Sequence, residues 1–264
     1  MIVIDEPSGS LLLVRQPDHA KTCVQLANQW RQPIICDACV WEHFIAAVGR
    51  HDDGWCNGEK MPAVDHTGRP VGFKSIATIE HVMVWQQSIE LALRDDKYAA
   101  LMIALHARWL YTHVSQNSDK DRRVAQAFVG NVTSQIDGLI EVLSHGNLIP
   151  REAISPRSLA EMARLLGFFD ALSLALLGAI TWFVKSEKLV FGNQQDIVKV
   201  MRGDGTSKGQ DIIYLKPWPF NMEQMVLSTH AIRLPMQRFD DSQVLAKCMA
   251  NQQAFNLCWI LRPS

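Results

Sequence analysis

Apolar residues recur at the three-to-four-residue spacing of amphipathic helices through the middle of the chain, and in short β-prone runs toward both ends. The helical spacing predicts helices at 19–30, 38–52, 78–94, 98–114, 119–145 and 156–185, with a short one near 241–251. Asp18, Asp37 and Ser155 stand where N-caps are expected, and Pro156 suits a first helical position. The middle of the chain therefore predicts a helical core.

The two ends of the chain predict strands separated by Gly- and Pro-containing turns. The predicted strands are 1–5, 10–15, 189–191, 197–201, 212–215, 226–234 and 255–261. Because neither end makes a large sheet alone, we expect both to pair into one antiparallel sheet beside the helices. The predicted fold class is thus mainly α (α+β), a helical bundle with a small antiparallel β-sheet formed by the N- and C-terminal segments.

This pattern predicts one domain over 1–264, with a helical core at 16–187 and a β-rich annex made of 1–15 and 188–264. Residues 56–77 lack a helical period and carry several Gly and Pro, so they are predicted to be a loop. Whether that loop lies over a functional site or is a surface excursion stays open at this point.

Composition and charge narrow the function classes. A chain of 264 residues with 48% hydrophobic residues can bury one substantial core. A formal net charge of −1 gives no broad electrostatic footprint, which argues against nucleic-acid and membrane-surface binding. No long uncharged apolar stretch or secretory leader is visible, so we expect a cytoplasmic protein. We expect its partner to be a small-molecule substrate. A homo-oligomer is compatible with the sequence.

The six cysteines show neither a secreted-scaffold spacing nor a second pair to match the lone Cys36-Asp37-Ala38-Cys39. A zinc site would need that second pair, and a thioredoxin-like centre would need a strand-to-helix setting. The cysteines are therefore interpreted as packing residues.

Histidines and aspartates on separate predicted helices are the candidate metal ligands. His51 and Asp52 end the second helix, just before Gly54, and Asp170 lies in a very apolar helix where a carboxylate is costly unless it meets a cation. A single buried histidine is more often a hydrogen-bonded core residue, but these residues taken jointly predict metal binding. The full set is His19, His51, Asp52, His81, His106 and Asp170.

The order of these residues resembles the HD-domain superfamily of metal-dependent phosphohydrolases. It is most similar to the dinuclear branch, which includes cyclic-dinucleotide phosphodiesterases and mixed-valent di-iron oxygenases. Nearly the whole chain is also similar to an uncharacterised bacterial family of HD-like proteins. That similarity lies in Gln16-Pro17-Asp18-His19, the His-Asp-Asp-Gly-Trp at 51–55, Leu105-His106 and Pro217-Trp218-Pro219-Phe220.

The resemblance implies an HD-type helical bundle around two divalent transition metals. His19, His51, Asp52 and Asp170 would hold one ion, His81 and His106 the second, and Asp52 would bridge them. Imidazole and carboxylate ligands favour iron or manganese, with zinc, cobalt and nickel as alternatives, over magnesium or calcium.

A pair of metal ions activates water and clamps a phosphoryl oxygen, so the sequence predicts a metal-dependent phosphohydrolase acting on a phosphate ester or related small molecule. A mixed-valent di-iron oxygenase is the first alternative, because the same ligands permit both reactions. A non-catalytic metal- or metabolite-binding module is the second.

The remaining candidates would serve catalysis or the substrate. Asp52 and His113, two helical turns after His106, are the candidate catalytic residues, and the candidate substrate-binding residues are Arg50, Trp55, Lys74 and Arg108. Dinuclear relatives often carry Lys where this chain has Trp55. That departure argues against cyclic-dinucleotide hydrolysis and favours a substrate with a flat or apolar part, or one bound by cations elsewhere.

Overall fold

The computed structural model describes residues 1–113, 118–146, 148–207 and 210–264. Along the chain, two short strands come first, seven helices follow, and five further strands with one more helix complete the described part. Helices account for 51% of the structure. The helices are α1 (Gln16–Gln29), α2 (Ala38–Arg50), α3 (Cys56–Lys60), α4 (Thr78–Leu93), α5 (Lys97–His113), α6 (Asp119–His145), α7 (Pro156–Leu176) and α8 (Ser242–Ala250). The strands are β1 (Ile2–Asp5), β2 (Leu11–Val14), β3 (Lys185–Phe191), β4 (Gln194–Ser207), β5 (Gln210–Lys216), β6 (Met225–Leu234) and β7 (Phe255–Pro263).

The seven strands form one curled, mixed sheet in the order β1-β2-β6-β7-β5-β4-β3. Neighbours pair antiparallel except β5 and β7, which run parallel. The parallel pair arises because β6 and α8 separate β5 from β7 along the chain, which leaves room for a crossover. The predicted fold class, a mainly helical HD-type bundle with a small antiparallel sheet, is therefore wrong.

The error has a physical cause in the length and the polarity of the strands. β4 spans 14 residues, and polar residues or glycine make up both of its ends, so only its apolar centre was predicted as a strand. β6 buries every second residue over much of its length, so one of its faces carries polar side chains in solvent. Such strands have a low average hydrophobicity. The sequence therefore predicts shorter strands, and a smaller sheet, than the structure contains.

Several predicted helix boundaries shift. α1 begins at Gln16, so Asp18 lies in its first turn and is not its N-cap. α7 ends at Leu176, nine residues earlier than predicted, where Gly178 adopts a φ of +73° that ends helices readily. Residues 56–77 include the short helix α3, and Val114 of the predicted 98–114 helix lies outside the described residues.

Helix α5 lies in the middle of the helical layer. It is buried continuously from Tyr98 to Ala107 and contacts α2, α4, α6 and α7. A helix that is apolar on all sides is expected at such a position. Among the described residues, every helix is too short or too polar to cross a lipid bilayer.

Trp30 joins the helical layer to the sheet at the end of α1. Its ring is 1% exposed and donates a hydrogen bond from Nε1 to the carbonyl of Val190 in β3, at 2.8 Å. Four phenylalanine rings, Phe168, Phe169, Phe191 and Phe220, surround it at centroid distances of 5.2–5.9 Å. Because these rings come from α7, β3 and the segment before β6, one side chain fixes α1 against a neighbouring helix and against the sheet.

Trp30→Ala should lower the free energy of unfolding by about 3–5 kcal/mol, because it removes a large buried ring and leaves a cavity. Urea denaturation followed by circular dichroism measures the change. Trp109→Ala is the matched control, since Trp109 is 42% exposed, and it should cost less than about 1 kcal/mol. Equal losses in the two variants would contradict this role for Trp30.

Candidate metal centre

Five of the predicted ligands meet between four helical segments. His19 lies on α1, His106 on α5 and Asp170 on α7, while His51 is the C-cap residue of α2 and Asp52 follows it. The three histidine side chains are each 1% exposed, that of Asp52 7% and that of Asp170 14%. We call these five residues the ligand cluster.

Asp170 lies at the centre of the ligand cluster. Its Oδ1 lies 3.0 Å from His19 Nε2 and 3.9 Å from His51 Nε2, and its Oδ2 lies 3.2 Å from His106 Nε2. Burial acts to raise the pKa of Asp170, but the facing His106 and His19 outweigh it and hold that pKa well below its usual range. Asp170 is therefore an anion directed at three imidazole rings.

Asp52 adds a second carboxylate on the same side of these rings. Its Oδ2 lies 3.4 Å from His51 Nε2 and 3.7 Å from His19 Nε2. Burial, opposed by His19 and reinforced by the charge of Asp170, raises the pKa of Asp52 to about 7. A nearby cation would favour the charged form of both carboxylates.

Hydrogen bonds on the far side of two rings orient their Nε2 atoms into the cluster. His51 Nδ1 lies 2.7 Å from the Val48 carbonyl, which can only accept, so Nδ1 carries the proton and Nε2 the lone pair. His51 Nε2 is buried and has no hydrogen-bond partner among the described residues. The Ser173 hydroxyl donates to the Asp170 carbonyl and accepts from His19 Nδ1, while His19 Nε2 lies at hydrogen-bond distance from Asp170 Oδ1.

This donor set fits a transition-metal cation. The His51 Nε2 lone pair and the two carboxylates repel one another unless a positive charge lies between them. The separations of 3.0–3.9 Å match those between ligands that share one ion at bond lengths of about 2.0–2.2 Å. The hydrogen bonds to Val48 and Ser173 are of the kind that fix the tautomer of metal-bound histidines.

Cys23 belongs to the same location, and the sequence interpretation missed it. Ligand atoms of His19, Cys23 and His51, all buried, lie within 4.8 Å of one another. Burial raises the pKa of the Cys23 thiol well above its ordinary value. The signal that could have found it is the four-residue spacing of His19 and Cys23, which places both on one face of a helix.

His81 lies beside the ligand cluster and makes different contacts. Its Nδ1 hydrogen-bonds the Tyr111 hydroxyl at 2.8 Å, and its ring packs against Trp55 and Trp85. The Trp85 ring also contacts His106 at 5.5 Å, so it lies against both histidines. Burial lowers the pKa of His81 to about 4. That His81 and His106 hold a second ion together stays a prediction.

The other predicted site residues lie around this region or away from it. Arg50 pairs with Asp53 and Asp95, and Trp55 is buried against His81. His113 is exposed and stacks on Trp109, whereas Lys74 is exposed near the Phe73 ring and Arg108 is half-buried on α5. Within the described ranges, no hydrogen bond or ion pair joins Arg50, Lys74, Arg108 or His113 to the ligand cluster.

The segment 56–77 packs beside the ligand cluster and against the first strand. Glu59 accepts from the Gln16 amide at 2.9 Å and pairs with the Met1 α-ammonium at 2.8 Å, with both partners buried. The charge of Glu59 adds to the raised pKa of Asp52, after burial and the charge of Asp170. The backbone N–H of Phe73 donates to the Met1 carbonyl, so this segment packs against the start of β1.

The family described as "Protein of unknown function (DUF3891)" matches residues 1–236, and the chain belongs to it. No curated protein and no solved structure was found to be similar. The match confirms membership of a family without an assigned activity, and the resemblance to the HD superfamily stays a prediction.

Ser173→Ala should weaken divalent-metal binding by about 10- to 100-fold, because it removes the group that orients His19. Competition titration against a chromogenic chelator measures the change. Ser158→Ala is the matched control, since Ser158 is a buried serine on α7 whose hydroxyl accepts a hydrogen bond from Ser155, away from the ligand cluster. If both variants bind metal as the wild type does, His19 is not positioned through Ser173.

Proposed function

We propose that this chain is a metal-dependent hydrolase of phosphate esters or related small molecules. The observation that carries the proposal is the unpartnered, buried Nε2 of His51, which faces two carboxylates and two further imidazoles. The order of the ligands along the chain supports the same chemistry, because it resembles that of the HD superfamily.

The ligand cluster accounts for one cation, held by His19, His51, Asp52, His106 and Asp170. A second would lie on the side of His81. If His81 Nδ1 donates its proton to Tyr111, its Nε2 is the free nitrogen, which is the arrangement that metal-bound histidines usually adopt. The number of ions bound per chain therefore distinguishes a mononuclear from a dinuclear site.

Divalent ions at such a site supply a water of lowered pKa and polarise a phosphoryl oxygen. The chain's own residues prepare the site for this reaction. Val48 and Ser173 fix two imidazoles before any substrate arrives, so little reorganisation is needed. The buried rings of Trp55 and Trp85 keep water away from the His81 side.

Asp170 marks the open side of the ligand cluster, since its side chain is the most exposed of the five at 14%. A substrate would therefore approach along α7. Trp55 stands where a cation would hold a second anionic group in dinuclear HD relatives, so we propose a substrate with one phosphate and an apolar or flat part.

Protein purified without a chelating tag should contain one or two equivalents of iron, manganese or zinc per chain by elemental analysis. Asp52→Asn should lose at least half of that metal and reduce turnover of phosphomonoesters at least 100-fold, because it removes a ligand charge shared by His19 and His51.

The control is Asp53→Asn, which changes the neighbouring carboxylate. Asp53 pairs with Arg50, outside the ligand cluster, so this variant should retain metal and activity. A wild-type protein without metal, or an Asp52→Asn variant with the wild-type metal content, would refute the proposed function.

A further inference from the structure

Cys23 is fully buried one helical turn after His19, on the face of α1 that meets the ligand cluster. Its sulfur belongs to the group of three ligand atoms, with His19 and His51, that lie within 4.8 Å of one another. Bonds of about 2.0 Å to nitrogen and 2.3 Å to sulfur would bring these atoms closer, which takes side-chain shifts of about 1 Å.

The present hydrogen bonds of Cys23 are weak and can be exchanged. The single S–H proton is shared between two acceptors, the Phe169 carbonyl at 3.5 Å and the Ser173 hydroxyl at 3.4 Å. Phe169 lies inside α7, so its carbonyl keeps its helical hydrogen bond if the thiol proton is lost. The Ser173 hydroxyl can turn from the Asp170 carbonyl to donate to a thiolate.

A second, independent feature points to a ligand at this position. The His51 side chain is 1% exposed, and the hydrogen bond from Nδ1 to Val48 fixes the lone pair on Nε2. Within the described part of the chain, Nε2 has no hydrogen-bond partner. The sulfur of Cys23 lies within 4.8 Å of a ring nitrogen of this imidazole, so the two residues can share one ion.

We propose that Cys23 is a thiolate ligand of the ion in the ligand cluster and that it selects the metal. Binding breaks the S–H bond, forms a metal–sulfur bond and releases the proton to solvent. Because thiolate is a soft ligand, the site should prefer Zn²⁺, Fe²⁺ or Co²⁺ to Mn²⁺ or Mg²⁺. This inference rests on the proposed metal site and narrows the identity of its metal.

The test is the absorption spectrum of the full chain loaded with Co²⁺ under anaerobic conditions. The wild type should show a thiolate-to-cobalt charge-transfer band in the near ultraviolet, in addition to visible ligand-field bands. Cys23→Ser should lose the charge-transfer band. Cys36→Ser, which changes a buried cysteine at the start of α2, should keep it.

Metal preference gives a second readout that does not depend on activity. The ratio of Zn²⁺ to Mn²⁺ affinity should fall at least tenfold in Cys23→Ser and stay unchanged in Cys36→Ser. If Cys23→Ser does not fold, the presence or absence of the charge-transfer band in the wild-type spectrum decides whether a thiolate binds the metal. Bound Co²⁺ without the charge-transfer band would overturn the role of Cys23 and leave the metal site standing, whereas no bound Co²⁺ would overturn both.

Discussion

A largely buried carboxylate directed at several imidazole nitrogens is the constraint on which the site depends. Asp170 lies on an apolar helix. An unpaired charge there would lower the free energy of unfolding by roughly several kcal/mol, even after the surrounding structure relaxes. Three histidines and a second carboxylate converge on it, and at least His51 has no proton to offer it. The proposed cation would resolve this arrangement, because it would satisfy the carboxylates and the His51 lone pair together.

The rest of the fold holds these groups at the required separation. His19 and Asp170 are 151 residues apart in sequence and 3.0 Å apart in space. Their helices are held against the sheet around Trp30, whose ring touches residues of α7 and β3. The curled sheet thus acts as the support against which α1 and α7 are positioned. It contributes none of the five ligands.

The sequence was informative where a residue's chemistry conflicts with its surroundings. The carboxylate in the run 168–174 and the adjacent His51 and Asp52 stand out for that reason, and the structure brings both carboxylates within 4 Å of His19 and His51. Cys23 does not stand out, because a cysteine in an apolar helix is typical packing.

The size and mixed pairing of the sheet were missed because strand pairing depends on contacts distant in sequence. His113 was selected from helical spacing alone, and α5 turns its end toward solvent.

The most direct test of the central claim is anomalous X-ray diffraction from crystals of the untagged protein, measured on both sides of the absorption edges of manganese, iron and zinc. The account predicts an anomalous peak about 2.0–2.4 Å from His51 Nε2 and from a carboxylate oxygen of Asp170. Crystals that show no peak there, with His51 and Asp170 hydrogen-bonded directly as an imidazolium–carboxylate pair, would contradict it.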